Sequence, residues 1–262
     1  MIMTKSYKNI VVKKGRYNDF LVICDHASNN IDEKYKNLGL ENKYIDSHRA
    51  FDIGVKHVAW ELSKLLDCNL VMANFSRLII DPNRGLDDLT LIPKLSEGRV
   101  VKGNIGIVLN KNDYERDIRI KNYYNPYHEQ IENFINNSIK KNVTPKVISI
   151  HSFTPIWKGK KREIDVGILW DKDNRLSNIF LKSFKGYNVG DNKPYSGRLK
   201  NDTLYKHATL KGLPNVLIEI RQDLLASENN QKDWAKKLYK VLEKNKEDIN
   251  SFNVKKFGSY AL

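Results

Sequence analysis

The sequence lacks long apolar runs and has few cysteines, and both features narrow the possible functions. Among its 262 residues no apolar stretch approaches the roughly 18 residues that a membrane-spanning helix needs. The lysine-containing N-terminus has neither the apolar segment nor the small-residue cleavage site of a secretory signal. We therefore expect a soluble cytoplasmic protein. In that reducing compartment, Cys24 and Cys68, which lie in or beside apolar segments, are expected as buried thiols.

Internal repeats and Gly/Ser-rich linkers are also missing, so we expect one domain spanning residues 1–262. The net charge of +14 raises the possibility of nucleic-acid binding. However, the lysines are scattered along the whole chain, and no helix-turn-helix, zinc-finger or RNA-binding signature accompanies them. We expect no nucleic-acid partner. A basic nucleic-acid-binding protein is kept as the non-enzyme alternative, to be tested by the salt dependence of DNA binding.

Short apolar runs alternate with segments of helical period. The runs have the length and β-branched content of buried strands, and they cover residues 20–24, 69–73, 146–150, 165–170 and 215–220. Amphipathic helices are predicted over residues 51–67, 125–142 and 230–252. This alternation predicts an α/β fold in which helices cover both faces of a mostly parallel sheet. The long irregular stretch over residues 81–112 is expected to serve a function.

Polar residues of metal-site or acid/base type follow or interrupt three of the predicted strands. Asp25 and His26 follow the first run, His151 follows the run at 146–150, and Glu219 lies within the last one. Sites in parallel α/β proteins gather at the carboxyl ends of strands. Because neutral imidazole is a good zinc ligand, His26 and His151 are candidate ligands, although a catalytic zinc usually needs a third.

A second polar cluster follows in "FSRLIIDPNRGLDD", which contains Arg77, Asp81, Asn83 and Arg84. The planar guanidinium group matches a carboxylate through two hydrogen bonds. Two arginines near a metal would therefore suit an anionic substrate such as an acidic amino acid. The structural alternative is an ion pair between Arg77 and Asp81, with Arg84 in solvent.

Taken in order, these motifs resemble the N-formylglutamate amidohydrolase family. The resemblance covers residues 19–225 and rests on "LVICDHASNNID", "HRAFDIG", "SRLIIDPNR", "GN" at 103–104, "ERDIRIKNYYNPYH", "ISIHSFTP", "DNKPYSG" and "GLPNVLIEIRQDL". That family is similar to zinc carboxypeptidases and aspartoacylases. The resemblance implies a three-layer α/β sandwich with one zinc ion per chain. It also implies hydrolysis of N-formyl-L-glutamate, a small-molecule substrate, to formate and glutamate.

The resemblance also assigns roles to individual residues. It implies that His151 binds zinc and that Glu219 is the general base. Arg77 would polarise the scissile carbonyl, while Asn83 and Arg84 would hold a substrate carboxylate. A related enzyme acting on another N-acyl amino acid, or a metallocarboxypeptidase acting on a peptide C-terminus, would use the same groups, so both remain alternatives.

One position departs from the zinc carboxypeptidase pattern. There, a glutamate lies three residues after the first zinc histidine, but here the residue three positions after His26 is Asn29. Asparagine is a poor zinc ligand, so another residue must complete the site. Asp52 is our choice because it lies in a segment that the family shares and at the predicted start of a helix. Asp25 and His48 are its rivals.

Three further residues are predicted to contact substrate. His207 and Tyr195 lie in segments that resemble the family, and Arg221 follows Glu219 by two positions in the last predicted strand. A carboxylate in an apolar strand is costly to bury unless it is paired or has a function. An ion pair with Arg221 or another cation is therefore the structural alternative to catalysis by Glu219.

Overall fold

The computed structural model describes residues 4–108 and 113–261. In chain order the strands in these residues are β1 (Thr4–Tyr7), β2 (Ile10–Lys13), β3 (Tyr17–Cys24), β4 (Cys68–Ala73), β5 (Leu95–Ser96), β6 (Arg99–Val100), β7 (Lys146–Phe153), β8 (Ile156–Trp157), β9 (Lys160–Lys161), β10 (Val166–Leu169), β11 (Val189–Asp191) and β12 (Asn215–Arg221). The α-helices are α1 (Asn42–Ile45), α2 (Val55–Leu65), α3 (Tyr114–Arg119), α4 (Asn125–Lys140), α5 (Arg175–Ser183), α6 (Thr203–His207), α7 (Glu228–Lys244) and α8 (Lys246–Asn250). A π-helical turn, Ile120–Tyr124, joins α3 to α4.

Eight strands form the central sheet in the order β1-β2-β4-β3-β7-β12-β10-β11. The four inner strands β4, β3, β7 and β12 run parallel. Antiparallel pairing begins on one side with β2 against β4 and on the other with β10 against β12. The mostly parallel sheet between helices confirms the predicted fold class.

Successive side chains of a strand point to opposite faces, and β3 shows how the two cores arise. Leu21 and Ile23 pack into a core on one face together with residues of α4. Val22 and Cys24 pack into a second core with residues of α2, α5 and α7. Because both faces are covered, the inner strands are apolar along their length. His151 and Glu219 are polar exceptions within these strands.

All five predicted strands are present, although their ends differ from the prediction. β7 continues three residues beyond the predicted end, so His151 lies within the strand rather than after it. The helix predicted from residue 51 begins only at Val55, and Asp52 precedes it. Gly54 explains the late start, because its φ of +85° is left-handed and an added β-carbon there would lie 2.6 Å from Leu225.

The predicted helix over residues 230–252 is divided at Asn245 into α7 and α8. The predicted irregular stretch 81–112 is irregular up to residue 108, apart from a 3₁₀ turn (Lys102–Asn104) and the β5–β6 hairpin. Its last four residues, 109–112, lie outside the described residues. Within the described chain, every helix is too short or too polar to cross a membrane.

Candidate active site

A cavity of about 560 Å³ opens where the inner parallel strands end. His26 borders it just after β3, and His151 and Glu219 border it from β7 and β12. Another part of its wall comes from the irregular stretch between Arg77 and Glu97. The predicted meeting of the strand-end residues and the arginine cluster therefore occurs at one edge of the sheet.

Three buried side chains form the centre of the site. His26, Asp52 and His151 each offer one ligand atom, and these atoms all lie within 4.8 Å of one another. The two histidines come from neighbouring parallel strands. Asp52 is positioned by the backbone, because its N–H donates a 2.9 Å hydrogen bond to the carbonyl oxygen of His26.

Hydrogen bonds fix how the two imidazole rings face each other. Nε2 of His26 lies 2.7 Å from a carboxylate oxygen of Asp81, and Nε2 of His151 lies 2.9 Å from Asp25. Since an ionised carboxylate only accepts hydrogen bonds, each Nε2 donates its proton outward, which turns the Nδ1 atoms toward Asp52. Oδ2 of Asp52 is 2.9 Å from Nδ1 of His151 and 3.4 Å from Nδ1 of His26, and the latter nitrogen makes no hydrogen bond within the described part of the chain.

This donor set fits zinc. Two imidazole nitrogens and one carboxylate oxygen are protein ligands that catalytic zinc accepts, and such a site keeps one position open. The carboxylates of Asp25 and Asp81 behind the rings are the partners that usually orient zinc histidines. The unpartnered Nδ1 of His26 is what a metal would satisfy.

The charges in the cluster also favour a cation. Burial opposes a charged imidazole, but hydrogen bonds to Asp25 and Asp52 outweigh it and hold the pKa of His151 well above its usual value. The pKa of Asp25 falls to about 2 despite burial, because His151 is bonded to it. The pKa of Asp52 is also depressed, against the effect of burial, by the two histidines. Two buried carboxylates therefore flank one imidazole, and positive charge between them is stabilised.

The rivals for the third ligand lie elsewhere. Asp25 is on the far side of His151 and accepts three further hydrogen bonds from hydroxyl groups. His48 is directed to Glu97 at 2.9 Å. Among the described residues, the structure thus places Asp52 beside both Nδ1 atoms. Asn29 is tied to Asp46 at 3.0 Å and is not part of the cluster.

Glu219 lies next to the cluster, where β12 pairs with β7 in a register that sets it opposite His151. The side chain is 7% exposed, and no residue that the structure describes is a hydrogen-bond partner of its Oε2. Burial raises the pKa of Glu219 to about 7. Arg221 does not pair with it, because that guanidinium binds Asp165 and Asp223, each at 2.8 Å. The ion pair with Arg221 is therefore not formed, and Glu219 makes no salt bridge to another cation among the described residues.

Both arginines of the second cluster border the cavity. Arg77 contacts Asp81 at 2.7 Å, so the ion pair considered from the sequence exists, and a quarter of the Arg77 side chain is still exposed. Arg84 donates to the hydroxyl of Thr90 at 3.2 Å and is exposed to the same extent. Asn83 also borders the cavity and accepts a hydrogen bond from the backbone of α6. An anion entering the cavity would meet both guanidinium groups.

The structure places two of the substrate-binding candidates away from the cavity. His207 is buried away from the cavity and is bonded to His128 at 2.8 Å and to Glu132 at 3.1 Å. Arg221 is also absent from the cavity wall because its guanidinium turns to Asp165 and to nearby carbonyl groups. Tyr195 does border the cavity, and its hydroxyl accepts a hydrogen bond from Arg162 at 2.9 Å.

Sequence reasoning missed Asp202, which borders the cavity and caps the first turn of α6. Burial raises the pKa of Asp202 to about 7. An aspartate before a short helix is normally a capping residue, so the local sequence indicates a structural role for Asp202 and gives no sign of a place in the site. Arg49, Glu97 and Arg198 were missed as well, and each borders the cavity from a different segment.

Comparisons with known proteins agree with this architecture. A family model described as N-formylglutamate amidohydrolase matches residues 18–226. Among solved structures, the Agrobacterium tumefaciens gene product Atu2144 is 36% identical, with a TM-score of 0.84 over 92% of this chain and 96% of that chain. An N-formylglutamate amidohydrolase from Ralstonia eutropha JMP134 is 18% identical, with a TM-score of 0.61 over 91% of this chain and all of that chain. A metallo-carboxypeptidase from Pseudomonas aeruginosa is 11% identical, with a TM-score of 0.40 over 92% of this chain and 61% of that chain. None of the curated protein sequences matches this chain.

Proposed function

Because the chain belongs to the N-formylglutamate amidohydrolase family, we propose that it is a zinc-dependent amidohydrolase of N-formyl-L-glutamate or a similar N-acyl acidic amino acid. The formamide C–N bond is cleaved, and formate and the amino acid are released. One observation carries the proposal: a buried cluster of two histidines and an aspartate lies beside an unpaired buried glutamate. The catalytic unit is a single domain over residues 1–262, and it acts in the cytoplasm.

His26, Asp52 and His151 hold one zinc ion, with Asp81 and Asp25 orienting the two rings. When bound, zinc lowers the pKa of a water molecule toward about 7 and polarises the acyl oxygen of the substrate. The chain excludes bulk solvent from these groups, since all three ligands are buried. Exclusion of water strengthens every charge interaction in the site.

Glu219 moves the protons. Its pKa, raised to about 7 by burial, is matched to accepting a proton from water near neutral pH. The protonated carboxyl then donates that proton to the amine that leaves. Its unpaired Oε2 supports this role, because no other described side chain competes for the oxygen.

Arg77 and Arg84 stabilise the two negative charges of the reaction, one on the acyl oxygen and one on a substrate carboxylate. Arg77, fixed by Asp81, opposes the charge that develops on the acyl oxygen. Arg84 with Asn83 binds a substrate carboxylate through the planar guanidinium. Four arginines border the cavity, which supports an acidic substrate, and these are Arg49, Arg77, Arg84 and Arg198.

The test combines metal analysis with a formate-release assay on purified protein. We expect about one zinc per chain and the highest kcat/KM for N-formyl-L-glutamate in a panel of N-formyl and N-acetyl amino acids and short peptides. A preference for another N-acyl amino acid would change the proposed substrate and leave the proposed reaction, hydrolysis of an N-acyl amide bond, in place. Release of C-terminal residues from peptides without formate release would favour a carboxypeptidase. Zinc-free protein with full activity would contradict the proposal.

A further inference from the structure

The β5–β6 hairpin brings a carboxylate into the candidate active site. Glu97 lies at its tip, and both carboxylate oxygens are 2.9 Å from Nε2 of His48. The same carboxylate is 3.1 Å from a guanidinium nitrogen of Arg49. All three residues border the cavity that holds the proposed zinc ligands. The cavity wall therefore contains two neighbouring basic residues, His48 and Arg49, that bind the carboxylate of Glu97.

The hairpin is an unfavourable place for a glutamate. Ser96 pairs with Arg99, so Glu97 and Gly98 form a two-residue turn, and their φ angles are +43° and +78°. Two-residue hairpin turns with both φ angles positive strongly prefer asparagine, aspartate or glycine. Left-handed backbone at a long side chain is strained, and such strain concentrates at ligand-binding sites. Glutamate at this position therefore contributes through its carboxylate and not through a preference for the turn conformation.

The contact is also easy to exchange. The side chains of His48, Arg49 and Glu97 are each about one quarter exposed. Ion pairs at such exposure change an equilibrium constant by no more than about fivefold. In addition, Nε of Arg49 is buried and has no hydrogen-bond partner among the described residues, so Glu97 does not satisfy every donor of this guanidinium. A carboxylate supplied by a ligand can therefore replace that of Glu97.

We propose that His48 and Arg49 form a second carboxylate subsite, which Glu97 occupies until a dicarboxylic ligand displaces it. The Asn83–Arg84 pair accounts for only one carboxylate of an acidic amino acid derivative, and the His48–Arg49 pair accounts for the other. The ligand class is a short dicarboxylate whose two charges reach both pairs. Naming that dicarboxylate an N-acyl glutamate rests on the proposed function, whereas the subsite itself does not.

The test measures binding by calorimetry to the zinc-loaded protein and needs no turnover. The two ligands are glutarate and its monoamide, which differ in one carboxylate. We expect the wild type to bind glutarate roughly 2–150-fold more tightly than the monoamide, because a charge-assisted contact contributes roughly 10–150-fold and displacing Glu97 costs up to about fivefold. In Arg49→Met this preference should disappear. In Glu97→Gln the affinity for glutarate should increase by up to about fivefold, and that for the monoamide should change less.

Arg99→Met is the matched control. Arg99 lies on the same hairpin and, like Arg49, is positioned over the ring of Tyr44, at 4.8 Å against 5.6 Å. It does not border the cavity. Arg99 shares the hairpin with Glu97 and the Tyr44 ring with Arg49, but it is not part of the subsite. The Arg99→Met variant should therefore prefer glutarate to the same extent as the wild type. Thermal unfolding of each variant shows whether the fold is retained.

Several results would overturn the subsite. These are no preference for glutarate in the wild type, an unchanged preference in Arg49→Met, or weaker glutarate binding in Glu97→Gln. If Arg49→Met fails to fold, Glu97→Gln alone decides. Failure of the proposed reaction has a different signature, since selective glutarate binding without formate release would refute the activity and leave the subsite. Formate release without selective binding would refute only the subsite.

Discussion

Replacing Glu219 by glutamine should stabilise the metal-free protein, and the gain should grow with pH. The folded protein raises the pKa of this carboxyl from 4.5 to about 7 because the group is buried. The folded state therefore binds the proton more tightly than the unfolded state does. Its stability falls as the pH rises from about 4.5 to about 7, and the penalty is complete above that range. Glutamine has the same shape and carries no such penalty.

The magnitude follows from the shift. A rise from 4.5 to about 7 corresponds to about 3 kcal/mol between the two protonation states. The unfolding free energy of Glu219→Gln should therefore exceed that of the wild type by about 1 kcal/mol at pH 5 and by about 3 kcal/mol at pH 8. The metal-free state is used because a bound cation would change the charge beside the carboxyl.

Urea unfolding of chelator-treated proteins between pH 5 and pH 8 measures this difference. Glu228→Gln is the matched control, because that side chain is 71% exposed and loses little solvent on folding. A difference that does not change with pH would refute the reasoning, as would a Glu219→Gln variant less stable than the wild type at pH 8. Either result would mean that the carboxylate is stabilised in the folded state by a partner.

Three other predictions concern zinc binding and the binding of a substrate carboxylate by Arg84. His26→Ala and His151→Ala should retain the fold, shown by circular dichroism, and lose the zinc; full metal content in both would remove the site. Asp81→Asn should lower zinc affinity by about 10–100-fold in a chelator competition, because the Asp81 carboxylate orients the ring of His26. Unchanged affinity would show that Asp81 does not support metal binding by His26. Arg84→Lys should lower kcat/KM for N-formyl-L-glutamate by roughly 10–150-fold. If Arg84 holds the carboxylate, amidating that group should cost the wild type much more than the variant, and equal costs would contradict the assignment.

The strand pattern predicted five of the eight strands of the central sheet, including all four inner parallel ones, and the meeting of their polar residues, but it missed β1, β2 and β11 toward the edges. Buried parallel strands are apolar on both faces, so His151 and Glu219 stand out in their runs. Since the ends of parallel strands share one edge, their proximity to His26 follows from the fold class. Asp52 was chosen through a shared segment and a predicted helix start, but the helix begins three residues later, after the left-handed turn at Gly54. Sequence spacing does not encode that turn's direction.

The remaining features depend on contacts between distant segments. Arg221 lies two residues from Glu219, but the carboxylate of Asp165, just before β10, draws it away from the cavity. Likewise, the contact of Glu97 with His48 joins segments 49 residues apart and follows from where a hairpin folds back. Such pairings are set by packing, and no local pattern predicts them.

The central claim is that Glu219 acts as the base beside zinc held by His26, Asp52 and His151. The most direct measurement is kcat for N-formyl-L-glutamate in zinc-loaded Glu219→Gln, with the metal content determined on the same sample. We expect full zinc occupancy and a turnover reduced by about 10²–10⁴, which is the usual contribution of a positioned acid/base group. Near-normal turnover in a variant with zinc confirmed present would contradict the account, because water would then be activated without this carboxylate.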